Sequence, residues 1–183
     1  MRETKTMYDG NKMAPTGIPN RGNTCFINSV EQCFRAIGHA LNVDLTRPGN
    51  LGQFGDFRQH DVHEYFLFEL GKLEAHRKFH DIFSGKFTTT IQFPCGHRNV
   101  RTDPFLDLSV PCYDTMEEMV NTLESVDVIN GATCDTCTFK GRAEKCMTVS
   151  DVPAVISFHI KRFDMYNNKK SNDVNVPVTW TFL

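Results

Sequence analysis

The cysteine at position 25 has the setting of a catalytic nucleophile. It directly follows the turn sequence Gly-Asn-Thr and directly precedes apolar residues that recur at helical spacing from Phe26 to Leu41. Asn23 and Thr24 are favourable cap residues, so the pattern predicts a helix that begins near Cys25. Unpaired N–H groups and the dipole at a helix N-terminus favour the thiolate, the attacking form of cysteine, and could also hold an oxyanion. The alternative from spacing alone is a buried, inert cysteine.

A second chemical feature is the C-x-x-C sequence that Cys134 and Cys137 form in a predicted turn. Two cysteines at this spacing are a common half-site for tetrahedral zinc. The chain has seven cysteines, an odd number that cannot all form disulfides within it, and its polar N-terminal residues contain no apolar signal segment. We therefore expect a cytoplasmic or nuclear location, where reduced cysteines serve metal binding, catalysis or core packing.

The composition is that of an ordinary globular domain. Of 183 residues, 40% are hydrophobic and 23% are charged, and 20 basic and 22 acidic side chains give a net charge of -2. That balance argues against a nucleic-acid or anionic-membrane partner held by bulk charge. No apolar run is long enough to cross a bilayer, so we expect no membrane association.

The order of the predicted elements indicates an α+β fold. A second helix is predicted over "RQHDVHEYFLFELGKL", with apolar residues on one face and acidic residues largely elsewhere. The apolar set is Val62, Phe66, Leu70 and Leu73, and the acidic set is Asp61, Glu64 and Glu69. After Phe83 the sequence predicts strands, including "AVISFHIKRF", with one further short helix at "MEEMVNTLESV". Helices that precede strands suggest segregated layers.

A series of ordered sequence blocks resembles the ubiquitin-specific proteases, a papain-like family of deubiquitinases. The blocks are "GIPNRGNTCFINSVEQCF", "RQHDVHEYF", "FSGKF", "CGHRNVRTDPFLDLSV", "CDTC" and "AEKCMTVSDVPAVISFHIKRF". Blocks that match in order from about Gly17 to the end of the chain are far more specific than a single motif. The resemblance implies thiol-dependent hydrolysis of the isopeptide bond after the C-terminal glycine of ubiquitin, with ubiquitin or ubiquitinated proteins as partners.

The same resemblance implies a papain-like cysteine protease fold of the palm–thumb–fingers type. Residues 1–16 are expected to form a flexible lead and residues 17–183 a partial catalytic domain. The thumb is expected at about 17–83 and the fingers and palm at about 84–183. The stretch between the first two blocks is short for the family, and the C-terminal palm strands are expected to be missing.

Four residues take site roles by their match to the family's motifs. Cys25 occupies the nucleophile position, and Asn20, five residues earlier, matches the side-chain amide donor of the oxyanion hole. Asp61 and Glu64 match the acidic positions that hold the arginine-bearing tail of ubiquitin, and charge complementarity supports that role. Without the resemblance, Asn20 would be a turn residue, and Asp61 and Glu64 would belong to a solvated helix face.

The resemblance is incomplete at the catalytic histidine. A papain-like site needs a histidine to pair with the thiolate and to protonate the leaving amine. Family members carry it, and its orienting Asp or Asn, in a box after the Lys-Arg-Phe strand, and no residue of this chain matches that box. We therefore expect either a fragment of a longer protease or a pseudoprotease that binds ubiquitin without catalysis. A zinc-dependent scaffold with no link to ubiquitin is a third hypothesis.

The family resemblance also suggests partners for the C-x-x-C half-site. Family members place a second C-x-x-C in the fingers, but here Gln92 stands at its first cysteine position and Cys95 at its second. His97 could supply the fourth ligand, and Cys112 is a weaker candidate. The expected structural zinc site is Cys95, His97, Cys134 and Cys137. The alternative is a finger that has lost its zinc and is held by strand pairing.

Overall fold

The structure is a computed structural model that describes residues 16–43, 45, 50–56, 58–74, 81–166 and 168–177. The predicted flexible lead lies outside the described residues except for Thr16. The described part of the chain forms two compact units, one among the residues before Asp81 and the other at Asp81–Pro177. Each unit is described by itself.

Two α-helices form most of the first unit. Helix α1 spans Cys25–Leu41, as the spacing predicts, and α2 spans Val62–Glu74. A short 3-10 helix, Gly52–Gly55, lies between them. Asn42 ends α1 with a left-handed φ of 51°, and its backbone N–H donates to the Gly38 and His39 carbonyls. No helix in the described residues is long and apolar enough to cross a bilayer.

Aromatic packing joins these three helical segments. Phe26 on α1, Phe54 on the 3-10 helix and Tyr65 on α2 are 5%, 2% and 1% exposed. Their ring centroids lie 6.1 Å (Phe26–Phe54), 5.5 Å (Phe26–Tyr65) and 5.3 Å (Phe54–Tyr65) apart in tilted or edge-on arrangements, which are favourable for aromatic rings. These contacts fix the first turn of α1 against the first turn of α2.

The buried face of α2 differs from the predicted one. Val62 is 47% exposed, whereas Tyr65 and Glu69 are each 1% exposed. Because Tyr65 fills the aromatic cluster, the helix turns so that Glu69, one turn later, also faces inward. Nζ of Lys72 pairs with the Glu69 carboxylate and compensates for its burial. The prediction that Glu69 lies away from the buried face was wrong, and the Leu73 side chain is outside the described residues.

Strands and one helix make up the second unit. In chain order they are β1 Gly85–Gln92, β2 Arg98–Phe105, β3 Leu108–Pro111, α3 Met116–Leu123, β4 Asp127–Thr133, β5 Lys140–Asp151 and β6 Phe158–Lys161. Four strands form an antiparallel sheet in the order β2-β1-β5-β4. Its central pair is therefore β1 and β5, and β5 is the longest strand described.

A parallel pair of short strands, β3 and β6, forms a second sheet. Ser109 Oγ lies 3.1 Å from His159 Nδ1 at directly opposed positions, so a side-chain hydrogen bond joins the two strands. Of the stretch "AVISFHIKRF", for which the sequence predicts one strand, only the four residues Phe158–Lys161 form a strand. Helix α3 begins with a capping box in which Thr115 and Glu118 each accept from the other's backbone N–H.

We predict that Gly85→Ala destabilises the protein by about 1–3 kcal/mol, as overpacking of a core does. A Cβ at Gly85 would collide with the Phe105 ring across the β1–β2 pair and would lie 2.7 Å from the Asp151 carbonyl oxygen. The matched control is Gly71→Ala in α2, where no atom lies within 4 Å of the added Cβ. It should stabilise by about 0.5–1 kcal/mol. Urea unfolding of both variants checks this, and equal effects would contradict it.

Candidate functional site

The Cys25 thiol lies at the start of α1, on the surface. Cys25 is the first residue of the helix, and its side chain is exposed. Thr24 is the N-cap, but its side chain accepts no hydrogen bond from the N–H groups of the first turn. Those N–H groups therefore have no side-chain cap from Thr24. Within the described residues the Cys25 thiol makes no hydrogen bond, and Ser29 Oγ donates to the Cys25 carbonyl. A helix N-terminus with an accessible thiol is the local arrangement that the sequence predicts.

The side chain of Asn20 is oriented by Thr24. Asn20 Oδ1 accepts from Thr24 N at 3.2 Å and from Thr24 Oγ1 at 3.0 Å. Thr24 Oγ1 in turn accepts from Arg21 N at 3.0 Å. Because the Asn20 oxygen is engaged, its NH₂ group is the end available for donation, and it donates to no described residue. The turn before Cys25 therefore presents an oriented amide donor beside the helix N-terminus.

Asp61 is the N-cap of α2. Its Oδ1 accepts from the backbone N–H groups of His63 at 2.7 Å and Glu64 at 3.1 Å. Sequence analysis placed Asp61 and Glu64 on one helix face and did not identify the cap, although Asp before an apolar helix is a cap signal. Asp61 Oδ2 and the exposed Glu64 carboxylate make no hydrogen bond with described side chains.

His60, next to Asp61, is paired with a carboxylate. Its Nε2 lies 2.7 Å from Asp56 Oδ1, and the hydrogen bond lowers the pKa of Asp56 below its ordinary value. The His60 ring packs edge-on against Phe26 and Phe54 at centroid distances of 5.5 and 5.1 Å. His60 is therefore held in the aromatic cluster of the first unit, and its hydrogen bond goes to Asp56.

The second unit brings the four predicted metal ligands together. Ligand atoms of Cys95, His97, Cys134 and Cys137 all lie within 4.8 Å of one another. His97 Nδ1 is 3.6 Å from Cys95 Sγ and 3.7 Å from Cys134 Sγ, and the sulfurs of Cys95 and Cys137 are 3.6 Å apart. Tetrahedral zinc with ordinary bond lengths requires about 3.8 Å between two sulfurs and about 3.6 Å between sulfur and nitrogen. The donor set and its spacing therefore fit a tetrahedral metal ion.

Two turns of the antiparallel sheet supply these ligands. Cys95 and His97 lie in the turn from β1 to β2, and Cys134 and Cys137 lie in the turn from β4 to β5. Cys134 is 3% exposed and packs in a cluster with Phe93 and other apolar residues, namely Ala143, Ile91, Ile129, Ala132, Cys137 and Phe139. The two turns are far apart in the sequence. The pairing of β1 with β5 brings them to the same end of the sheet. Cys112, the weaker candidate, is outside this cluster.

The local environment changes the acidity of two of these thiols. Burial raises the pKa of Cys134, but N–H groups of Thr136 and Cys137 donate to its sulfur and outweigh burial, so its pKa falls to about 7. The Phe139 N–H lowers the pKa of Cys137. Hydrogen bonds with the Cys95 and Cys134 thiols, together with burial, have the larger opposite effect, so the pKa is raised overall. At neutral pH one thiol of the group is thus readily deprotonated, as a metal ligand must be.

One protein family matches most of this chain. The sequence profile described as ubiquitin carboxyl-terminal hydrolase matches residues 49–182. The chain belongs to this family. The matched residues include Asp61, Glu64 and the four candidate metal ligands, and they begin after Cys25. The resemblance stated from the sequence blocks is therefore confirmed, while the roles of the individual residues stay predictions.

Curated members of the family are similar to most of this chain. Ubiquitin carboxyl-terminal hydrolase 23 of Arabidopsis thaliana is 28% identical over 218 residues, which covers 84% of this chain and 25% of that protein. Ubiquitin carboxyl-terminal hydrolase Usp2 of Drosophila melanogaster is 24% identical and covers 89% of this chain and 26% of its own length. The chain thus spans about a quarter of these relatives. An alignment of 218 residues exceeds the 183 of this chain, so the relative has segments that this chain lacks.

Two solved structures of a DUB module have a similar fold. The structure of the SAGA Ubp8/Sgf11/Sus1/Sgf73 DUB module bound to ubiquitin aldehyde matches with a TM-score of 0.70 at 19% identity, over 91% of this chain and 54% of that chain. A structure of the yeast SAGA DUB module with a mutant Sgf73 gives 0.65 at 21% identity over the same shares. The predicted α+β fold of the papain-like ubiquitin-specific proteases is confirmed.

We predict that Asp61→Ala lowers the free energy of unfolding by about 0.5–2 kcal/mol, whereas Asp61→Asn changes it by only a few tenths. Alanine leaves the N–H groups of His63 and Glu64 without the cap, while the Asn oxygen can accept both. Thermal and urea unfolding measure the difference. If Asp61→Ala were as stable as the parent, the capping role would be excluded.

Proposed function

We propose that this chain provides the nucleophile-bearing part of a thiol-dependent deubiquitinase. The observation that carries the proposal is the exposed Cys25 thiol at the first residue of α1, with the oriented Asn20 amide in the turn before it. A thiolate at a helix N-terminus and an adjacent amide donor are the two groups that acyl transfer to cysteine needs first. Family membership supplies the substrate class, ubiquitin joined to an amine.

The proposed reaction proceeds through a thioester. Sγ of Cys25 attacks the carbonyl carbon of the C-terminal glycine of ubiquitin, and the resulting oxyanion accepts hydrogen bonds from the Asn20 NH₂ and from backbone N–H groups near Cys25. The C–N bond then breaks, the amine leaves with a proton, and water hydrolyses the thioester to regenerate the thiol. Proton transfer to the leaving amine contributes about 10²–10⁴ in rate and requires a histidine that pairs with Cys25.

The second candidate function is ubiquitin binding without turnover. It is favoured by the absence of a hydrogen bond from the Cys25 thiol to a histidine within the described residues. His60, whose ring packs against Phe26, is paired with Asp56. Both candidates require the same ubiquitin contacts and differ only in the proton-transfer group.

Asp61 and Glu64 are proposed to bind the basic tail of ubiquitin. Their roles differ: Asp61 Oδ1 is committed to the α2 cap, so only its Oδ2 is available, while the whole Glu64 carboxylate is exposed. The positive potential of the helix N-terminus acts on Asp61 at the cap and on Glu64 in the first turn, but only Asp61 has an oxygen engaged by helix N–H groups. Glu64 should therefore contribute more of the attraction to an arginine than Asp61.

We further propose that the Cys95, His97, Cys134 and Cys137 cluster holds a structural zinc ion. Three sulfurs and one imidazole nitrogen are ligands typical of closed, four-coordinate zinc sites. When bound, the ion would join the β1–β2 turn to the β4–β5 turn and thereby stabilise the end of the antiparallel sheet.

We predict that Cys25 reacts with ubiquitin carrying a C-terminal thiol-reactive group, slowly and at Cys25 only. The 183-residue chain should show no meaningful cleavage of ubiquitin chains, because it is proposed to lack the proton-transfer histidine. Intact mass spectrometry of the adduct measures the reaction, with Cys25→Ala as the inactive variant. Cys33→Ala, an exposed cysteine of the same helix, is the matched control and should react like the parent.

Two outcomes would contradict this proposal. Adduct formation that survives Cys25→Ala would remove Cys25 as the nucleophile. Cleavage of ubiquitin chains at ordinary enzyme rates, abolished by Cys25→Ala, would show that a histidine of this chain is catalytic. That result would exclude the proposal that the chain lacks the proton-transfer histidine.

We predict that Glu64→Gln weakens ubiquitin binding more than Asp61→Asn, by up to about 1–3 kcal/mol for a charge-assisted hydrogen bond. Both substitutions keep the shape of the side chain, and Asp61→Asn also keeps the α2 cap, so loss of stability does not confuse the result. Titration calorimetry with ubiquitin gives the affinities. Unchanged affinity in the double variant would exclude the tail-binding role.

We predict close to one zinc ion per chain in protein purified without chelator. Cys134→Ser, at the buried ligand, should lose most of it, whereas Cys112→Ser should retain it because Cys112 lies outside the cluster. Elemental analysis measures the content. A parent protein without zinc that also fails to take up added zinc would favour the metal-free finger.

A further inference from the structure

Gln92 contacts the turn that carries half of the proposed metal site. It is the last residue of β1 and stands where the family pattern has a cysteine. Its Nε2 donates to the carbonyl oxygens of Phe93 at 3.3 Å and His97 at 3.2 Å. The side chain therefore spans the β1–β2 turn from its first residue to its last.

Besides the Gln92 contacts, the buried Phe93 side chain and two backbone hydrogen bonds hold the turn. Phe93 N donates to the His97 carbonyl and Gly96 N donates to the Phe93 carbonyl, each at 3.0 Å. Gly96 has a φ of +84°, a backbone conformation that favours glycine. A Cβ added at this position would have no atom within 4 Å, so the preference for glycine comes from the backbone alone. Cys95 and His97 themselves are exposed. The Gln92 amide thus contributes two hydrogen bonds to backbone carbonyls of this turn, at its first and last residues.

The opposite half of the cluster is anchored differently. Cys134 is buried, and its backbone N–H donates to the Phe139 carbonyl at 3.0 Å. Its ligand atom is fixed by packing, whereas those of Cys95 and His97 depend on the conformation of the β1–β2 turn. Ordering an exposed turn costs conformational entropy, and this cost falls on metal binding unless the turn is already ordered.

We propose that Gln92 is a positioning residue of the metal site. It orders the Phe93–His97 turn so that Cys95 Sγ and His97 Nδ1 are 3.6 Å apart before the metal binds, a separation that tetrahedral zinc requires. The residue that replaces a ligand in the family pattern thereby supports the site through the backbone. This inference rests on the proposed zinc site. Groups that orient metal ligands typically change affinity about 10–100-fold when removed.

The test measures metal affinity and ligand geometry in the full chain. Zn²⁺ affinity is determined by competition with a chromophoric chelator, and Co²⁺ substitution gives an absorption spectrum that reports three sulfurs and one nitrogen in tetrahedral geometry. Gln92→Leu removes the donor, and Gln92→Lys retains an N–H donor on a long side chain. Gln92→Met, of equal length, replaces the leucine variant if that variant does not fold.

The matched control is Gln32→Leu in α1. It makes the same chemical change and removes a similar hydrogen bond, from Gln32 Nε2 to the Thr16 carbonyl at 2.8 Å, in the other unit. It should leave Zn²⁺ affinity and the Co²⁺ spectrum unchanged. Gln92→Leu should weaken Zn²⁺ binding about 10–100-fold and alter the Co²⁺ spectrum, and Gln92→Lys should restore both.

The outcomes separate the two proposals. If the parent binds zinc and Gln92→Leu binds it equally well with the same Co²⁺ spectrum, the positioning role is overturned and the zinc site stands. If Gln92→Lys is as weak as Gln92→Leu, N–H donation is not what matters, and the positioning role is again overturned. If the parent binds neither Zn²⁺ nor Co²⁺, the zinc site itself fails and the inference fails with it.

Discussion

Burial of Phe26 is the constraint on which the first unit depends. Its ring packs against Phe54 and Tyr65, from segments far apart in sequence, and this contact fixes where α1 begins. Cys25 directly precedes it and is therefore at the helix N-terminus while remaining exposed. A nucleophile must be accessible and rigidly held at the same time. Here the residue after Cys25, the proposed nucleophile, is anchored in the core, and the thiol itself needs no packing contact.

The same cluster determines the direction of α2. Tyr65 occupies the core position, and burial together with the Glu69 and Glu31 carboxylates raises the pKa of its hydroxyl, so it stays neutral. Glu69 follows it inward and is neutralised by Lys72. As a consequence Glu64 faces solvent and Asp61 caps the helix. The acidic pair is thus displayed because an aromatic residue on the neighbouring turn is buried.

In the second unit, the antiparallel sheet has the corresponding role. Pairing of β1 with both β2 and β5 brings the ends of two hairpins to one side, where four ligand atoms converge. The apolar cluster around Phe93 and Cys134 lies beneath them and fixes the buried half. The exposed half depends on turn geometry, in which Gln92 takes part. With His97 as the proposed fourth ligand, the four candidate ligand atoms lie within 4.8 Å of one another.

The sequence by itself determined α1 and the identity of the candidate residues. Helical spacing and the turn before Cys25 are local signals, and the ordered sequence blocks by themselves indicate the family. Sequence also suggested His97 as a ligand, because it lies two residues from Cys95. Only tertiary structure decided that Glu69 is buried and that two turns far apart in the sequence bring four candidate ligand atoms together. These depend on which residues far apart in the chain compete for the core and on how two hairpins align, and neither is encoded in the spacing of neighbouring residues.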